Sequence, residues 1–221
     1  MLIVAIPKSA STSLMKTLSN LHKIPSSQAK LHYFSSPIAT KLLHSYHSDM
    51  RELSEEYVDN LKTQHMSHIF KQHIPPTGNN LRLLKEIKKV VLLREPRQII
   101  ESYYRAEIRK SHPTRKEFEN CSTVEAWLQT AEKNGLLSDV SWFFNEWLSE
   151  SERHPQTNLV IDYSQLTLEP QKVINSVESY FDLPVSETVV LRKERYSRIP
   201  VILNHIHRIG WQLKVRRLGK K

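Results

Sequence analysis

Residues 7 to 14 read PKSASTSL, placing Lys8 ahead of four hydroxyl side chains, Ser9, Ser11, Thr12 and Ser13, with Ala10 among them. An apolar run, Leu2 to Ile6, precedes this stretch, and Leu14, Leu18 and Leu21 follow it on one helical face. A loop that enters a helix N-terminus offers unpaired backbone N–H groups and the positive end of the helix dipole, which suits a phosphate. Lys8 adds a full charge and the hydroxyls add donors. The GxxxxGK[ST] pattern of a nucleotide-hydrolysing P-loop is absent, since the loop has no glycine and its lysine precedes the hydroxyls. Taken alone, the stretch could equally be a solvated turn that caps a helix.

Two further groups could join that loop. In LLREPRQIIESYY, Arg94 ends an apolar run and Ser102 follows eight residues later, two helical turns on, so both could face one anion. Glu95 and Glu101 offer Arg94 the alternative of a surface ion pair. In FKQHIPP, His73 precedes two prolines, where it could take a proton or merely end a strand.

The elements that must position these residues alternate. Leu2 to Ile6, Ser67 to Lys71, Lys89 to Leu93 and Asn158 to Asp162 read as strands. Helices are expected at Ser13 to Leu21, at Met50 to Leu61 behind Asp49 as N-cap, and from Pro96 onward. Others are expected at Thr123 to Lys133, Ser138 to Glu150 and Pro170 to Phe181. Strands alternating with helices predict an α/β fold, a central and mostly parallel sheet flanked by helices, with a P-loop-like phosphate-binding loop after the first strand. In such sheets ligands bind where the loops leave the carboxyl ends of the strands. Residues 1–221 fit one domain, large enough to bury roughly 70% of the unfolded surface.

Read together, PKSASTSL and LREPRQIIESYY resemble the two cofactor signatures of the sulfotransferases that use 3'-phosphoadenosine 5'-phosphosulfate (PAPS). The first has the form PKxGTTxL; the second is an Arg, a Pro two residues on and a Ser eight residues on. FKQHIPP resembles the KTHLP-like segment that carries the catalytic histidine in the cytosolic branch. VSWFFNEW, VIDYSQL and EPQKVINSVESYFDLP match later family stretches in order, so the likeness runs from about residue 2 to 185. Ala10 stands for the usual glycine and Glu95 for the common Asp or Asn. For the family's C-terminal Arg-Lys-Gly segment, RKERYSRIP is a candidate by position and charge.

The resemblance implies that Ser9, Ala10, Ser11, Thr12 and Ser13 hold the 5'-phosphosulfate, with Lys8 at the bridging oxygen. It also implies that Arg94 and Ser102 bind the 3'-phosphate, that Ser102 helps restrain Lys8, that Tyr163 lies beside the adenine and that His73 is the base. The product would be the bisphosphate PAP, and no metal is required. Glu55 or Glu56 is the fallback base, since some glycan-directed branches use a glutamate.

Composition narrows the partners. Thirty-two Lys and Arg against 23 Asp and Glu give a net charge of +9, which favours anionic ligands, an acidic glycan among the hydroxyl- or amine-bearing acceptors. The tail KVRRLGKK reads as a solvated basic end or a polyanion contact. Cys121 is the single cysteine, which fits a reducing compartment, and no apolar stretch is long enough for a transmembrane anchor, so a cytoplasmic enzyme is expected. Trp142, Phe143 and Trp147 have core spacing; His44/His47 and His65/His68 have i, i+3 spacing without a supporting metal-ligand pattern. Two rivals are a nucleotide or small-molecule kinase using the same cradle, and a non-catalytic polyanion-binding module. No nucleic-acid motif is present to specify such a partner.

Overall fold

A computed structural model describes residues 1–27, 33–34, 52–63, 67–108 and 116–192. In chain order, β1 (Leu2–Ala5), α1 (Ser11–His22), β2 (Ser26–Ser27), β3 (Tyr33–Phe34), β4 (Glu52–Leu53) and α2 (Glu55–Thr63) come first. Next are β5 (Ile69–Gln72), α3 (Gly78–Leu84), β6 (Lys89–Leu93), α4 (Pro96–Ile108), α5 (Val124–Lys133) and α6 (Leu136–Arg153). The described order closes with β7 (Asn158–Asp162), α7 (Tyr163–Leu168) and α8 (Pro170–Tyr180).

Five strands form one parallel sheet in the order β2-β5-β1-β6-β7, and β3 pairs antiparallel with β4. Every residue of β1 and β6 is buried, as expected for parallel strands covered on both faces. The side chains divide by the period of two. Leu2, Val4, Val91 and Leu93 join a core with α4, α5 and α6, whereas Ile3, Ala5, Val90 and Leu92 join one with α1 and α8. This places β1 between β5 and β6, so the loops leaving these three strands meet at one edge of the sheet.

The helix expected from Met50 starts later. Residues 52 and 53 pair with β3, and Ser54 caps α2, its Oγ accepting from the Tyr57 amide at 3.2 Å. Asp49, the expected cap, lies outside the described residues, as do His44, His47, His65, most of Ser26 to Ser48, all of RKERYSRIP after Arg192 and the basic tail. The expected helix limits shift by a few residues elsewhere, because caps set them: Thr123 caps α5 by accepting from the Ala126 amide, and Gly135 in the left-handed region precedes α6. No helix of the described residues is long and apolar enough to cross a membrane.

Candidate functional site

The chain leaves β1 at Ala5 and enters α1 at Ser11 through a loop without glycine, yet Lys8 has φ 71° and Ala10 φ 65°. A non-glycine residue in this left-handed region costs roughly 1–2 kcal/mol, so the loop carries strain that its surroundings must offset. Two contacts do so. The buried Ser9 hydroxyl donates to Ile6 O at 2.6 Å, and Arg94 Nη1 donates to Lys8 O at 2.6 Å from across the sheet edge. Ala10 occupies the N-cap position of α1 and has no side chain to cap it, so no side chain at that position shields the first-turn amides from an anion.

The hydroxyl run divides in two. Ser9 and Ser13 brace the fold, the Ser13 hydroxyl donating to Arg192 O while Thr17 Oγ1 accepts from the Arg192 amide at 3.0 Å. Ser11 and Thr12 stand in the first turn of α1, Ser11 buried and Thr12 half-buried.

His73 follows β5, the strand beside β1. Its Nδ1–H donates to Ala5 O at 2.8 Å, which selects the tautomer whose lone pair is on Nε2. Lys71 Nζ lies 3.4 Å from that Nε2. Burial, and secondarily the positive charge of Lys71, push the His73 pKa down to about 3, against a smaller raising effect of the bond to Ala5. The imidazole is therefore neutral across the physiological range, which differs from the near-neutral titration that the sequence suggests for a histidine. The segment beyond it is fastened by two side chains, one of them itself held in place. Trp147 Nε1 donates to Ile74 O at 2.9 Å, Asn80 Nδ2 donates to Pro75 O at 2.9 Å, and Asn80 Oδ1 accepts from the Leu53 amide at 2.8 Å.

Arg94 follows β6 on the other side of β1 and is 7% exposed. Besides Lys8 O, it donates from Nε to Gln98 Oε1 at 3.3 Å, and its guanidinium carbon lies 3.7 Å from the centroid of the Tyr163 ring. It makes no ion pair with Glu95 or Glu101. Glu101 instead lies within reach of Arg97 and Arg105, at 3.6 and 3.7 Å. Burial lowers the Arg94 pKa, as it does for any cation withdrawn from water. Ser102, half-buried, is one turn beyond Gln98 on the same face of α4.

The fold thus brings Lys8, His73 and Arg94 from three loops together with Tyr163 from the start of α7, with Ser102 on the helix that follows Arg94. Glu55 and Glu56 lie exposed on α2, where Glu55 pairs with Arg82 at 3.3 Å. His68 is bonded to Ser67 at 3.0 Å, and no group of three His, Cys, Asp or Glu among the described residues could hold a metal ion. The sequence motifs did not single out Lys71 or Gln98, and held Arg192 only as the first residue of RKERYSRIP. A signal existed for Lys71, since the strand period of two puts it on the same side as His73; the charge of RKERYSRIP pointed to Arg192 but not to its backbone bonds with Ser13 and Thr17, which are tertiary.

The profile described as the sulfotransferase domain matches residues 1–200. No curated protein matches the chain by sequence. Among solved structures, a mouse sulfotransferase complexed with PAP is 14% identical with a TM-score of 0.54, covering 85% of this chain; the chain spans 59% of that protein's length. A sulfotransferase from Alicyclobacillus acidocaldarius is 16% identical with a TM-score of 0.54, over 96% of this chain and 97% of the other. The sulfotransferase domain of the Synechococcus PCC 7002 olefin synthase is 16% identical with a TM-score of 0.52, over 99% and 92%. At these identities the likeness is one of fold.

Proposed function

The chain belongs to the sulfotransferase domain family, and from that premise we propose that it moves a sulfuryl group from PAPS to a hydroxyl or amine of an acceptor, leaving PAP. One observation carries the reading. The His73 ring is bonded to Ala5 O at the end of β1, and the Lys8 backbone is bonded to Arg94 in the loop that follows, directly before a helix N-terminus.

The donor set fits such an anion. The amides of residues 9 to 13 and the hydroxyls of Ser11 and Thr12 would hold the phosphosulfate, with Ser9 and Ser13 keeping the loop in shape through their own bonds. Arg94, with Ser102, would take the 3'-phosphate. Two of its five N–H groups are engaged, by Lys8 and Gln98, and the others remain for an anion. Tyr163 borders the adenine side. When bound, the donor supplies the sulfuryl group, and negative charge grows on the oxygen it leaves. Lys8, on the loop whose left-handed turn Arg94 supports, would supply the positive charge for that oxygen, an interaction stronger in the transition state than in the ground state.

His73 Nε2 would accept the acceptor's proton. Its depressed pKa keeps Nε2 unprotonated but makes it a weak base, Lys71 Nζ must leave that lone pair for the acceptor, and an anion bound nearby raises basicity, so proton uptake is coupled to donor occupancy. An acidic glycan is the acceptor class that the +9 charge favours. We read residues 1–221 as one such domain, working in the cytoplasm, which accords with its single cysteine.

Thermal shift tests the donor. PAP without magnesium is expected to raise the melting temperature, since a ligand at 100 times its Kd stabilises by about 2.7 kcal/mol. Stabilisation by ATP with magnesium and none by PAP overturns the proposal in favour of a kinase. With the acceptor found by a labelled-donor screen, Lys8→Ala and His73→Ala each lose turnover while remaining folded; full turnover in the His73 variant removes it as base.

A further inference from the structure

We propose that Tyr163 is a positioning residue. Its ring orients Arg94, and Arg94 in turn holds the Lys8 carbonyl and with it the left-handed turn of the phosphate loop. The inference rests on the reading of that loop as the donor site and adds a residue that acts on it from two strands away.

The register puts the pair together. Leu93 and Asp162 are the last paired residues of the neighbouring parallel strands β6 and β7, so Arg94 and Tyr163 are the next residue of each. Asp162 then fixes where Tyr163 begins α7, its Oδ1 accepting from the Ser164 amide at 2.7 Å and the Gln165 amide at 3.2 Å. A guanidinium is a plane with donors along its rim. Lys8 O and Gln98 Oε1 fix two directions within that plane, and the ring 3.7 Å away fixes the plane itself. Face-on stacking uses none of the N–H donors, so the restraint leaves the remaining rim open to an anion. The same geometry occupies one face of the tyrosine ring, which excludes a base from stacking there. Its effect reaches Lys8 through the 2.6 Å bond to the carbonyl of a residue at φ 71°, a conformation that needs outside support.

Amide nuclear relaxation on the ligand-free protein tests this. Tyr163→Leu is expected to lower the order parameters of residues 8 to 10 from about 0.85, the rigid-backbone value, to below about 0.6 while leaving β1 and β6 unchanged. Tyr163→Phe keeps the ring and is expected to retain the wild-type order parameters. Order parameters unaltered by Tyr163→Leu, or lowered as much by Tyr163→Phe, overturn the proposal. Should the leucine variant fail to fold, Arg94→Lys keeps the charge but not the plane, and must produce the same loop-specific loss of order; its absence likewise overturns the proposal. Calorimetry with PAP on the wild type separates the two readings. No binding sinks the donor assignment and leaves the relaxation result standing. PAP affinity lost in the leucine variant and kept in the phenylalanine variant supports positioning, whereas equal loss in both with an undisturbed loop assigns the hydroxyl a direct contact with the donor and overturns it.

Discussion

Replacing Ala10 by glycine should stabilise the protein, against the usual direction of alanine-to-glycine changes. At φ 65° the alanine Cβ crowds the backbone at a cost of roughly 1–2 kcal/mol, which glycine does not incur. Two effects oppose the gain. Glycine has more freedom in the unfolded chain, worth about 0.4–1 kcal/mol, and the partly buried Ala10 methyl packs on the core shared with α1, worth somewhat less than the ~0.8 kcal/mol of a fully buried carbon. A third acts with the gain, because glycine is a better N-cap than alanine, and residue 10 is the cap of α1. With middle values the balance favours glycine by about 1 kcal/mol, a rise in Tm of about 2–4 °C for a domain of this size. Calorimetric melting of the wild type, Ala10→Gly and Ala10→Val reads it directly, the β-branched valine being expected to melt below the wild type. A glycine variant that melts lower than the wild type refutes the placing of strain at this position.

Two further perturbations address the histidine. Trp147→Phe leaves Ile74 O without the indole donor and opens a cavity where the larger indole packed, which together should cost at least about 1–3 kcal/mol in urea unfolding; an unchanged midpoint means that the bond contributes nothing. His73 has a folded-state pKa of about 3 against an ordinary value near 6.5, so it stays neutral when folded and gains a proton when unfolded. Its contribution is full above about pH 6.5 and is lost as pH falls toward 3, by up to about 5 kcal/mol. Urea midpoints followed from pH 7 to 4 should therefore fall more steeply in the wild type than in His73→Gln, and parallel curves would refute the assignment.

The strands that position the site were legible because their signal is local. LIVAI, KVVLL and NLVID are short apolar runs, and Pro96 marks a helix start by its fixed φ. The site residues were legible as types and spacings, but what their side chains touch was not. Ser9 and Ser13 look like equivalent phosphate donors in the sequence, yet one closes its own loop and the other ties down Arg192, 179 residues away. Arg94 holding Lys8 O spans 86 residues, and no periodicity encodes such a bond. Helix α3 escaped notice for a related reason. Its seven residues are too few for a periodic pattern, and it is anchored by Thr77 as cap and by the buried Asn80 bonded to Leu53 and Pro75.

The central place of β1 also bears on the order in which the protein can form. Of the five strands of the parallel sheet β1 is made before the others, and it pairs on one side with β5 and on the other with β6, Leu2 lying opposite Phe70 and Lys89. At 5–20 residues per second, the 87 residues between Leu2 and Lys89 take roughly 4–17 s to synthesise. An apolar, β-prone segment has neither neighbour until β5 is made and only one until β6 emerges, which makes the nascent chain a candidate for chaperone capture. The strand that later anchors the phosphate loop is thus the one that waits longest for its partners.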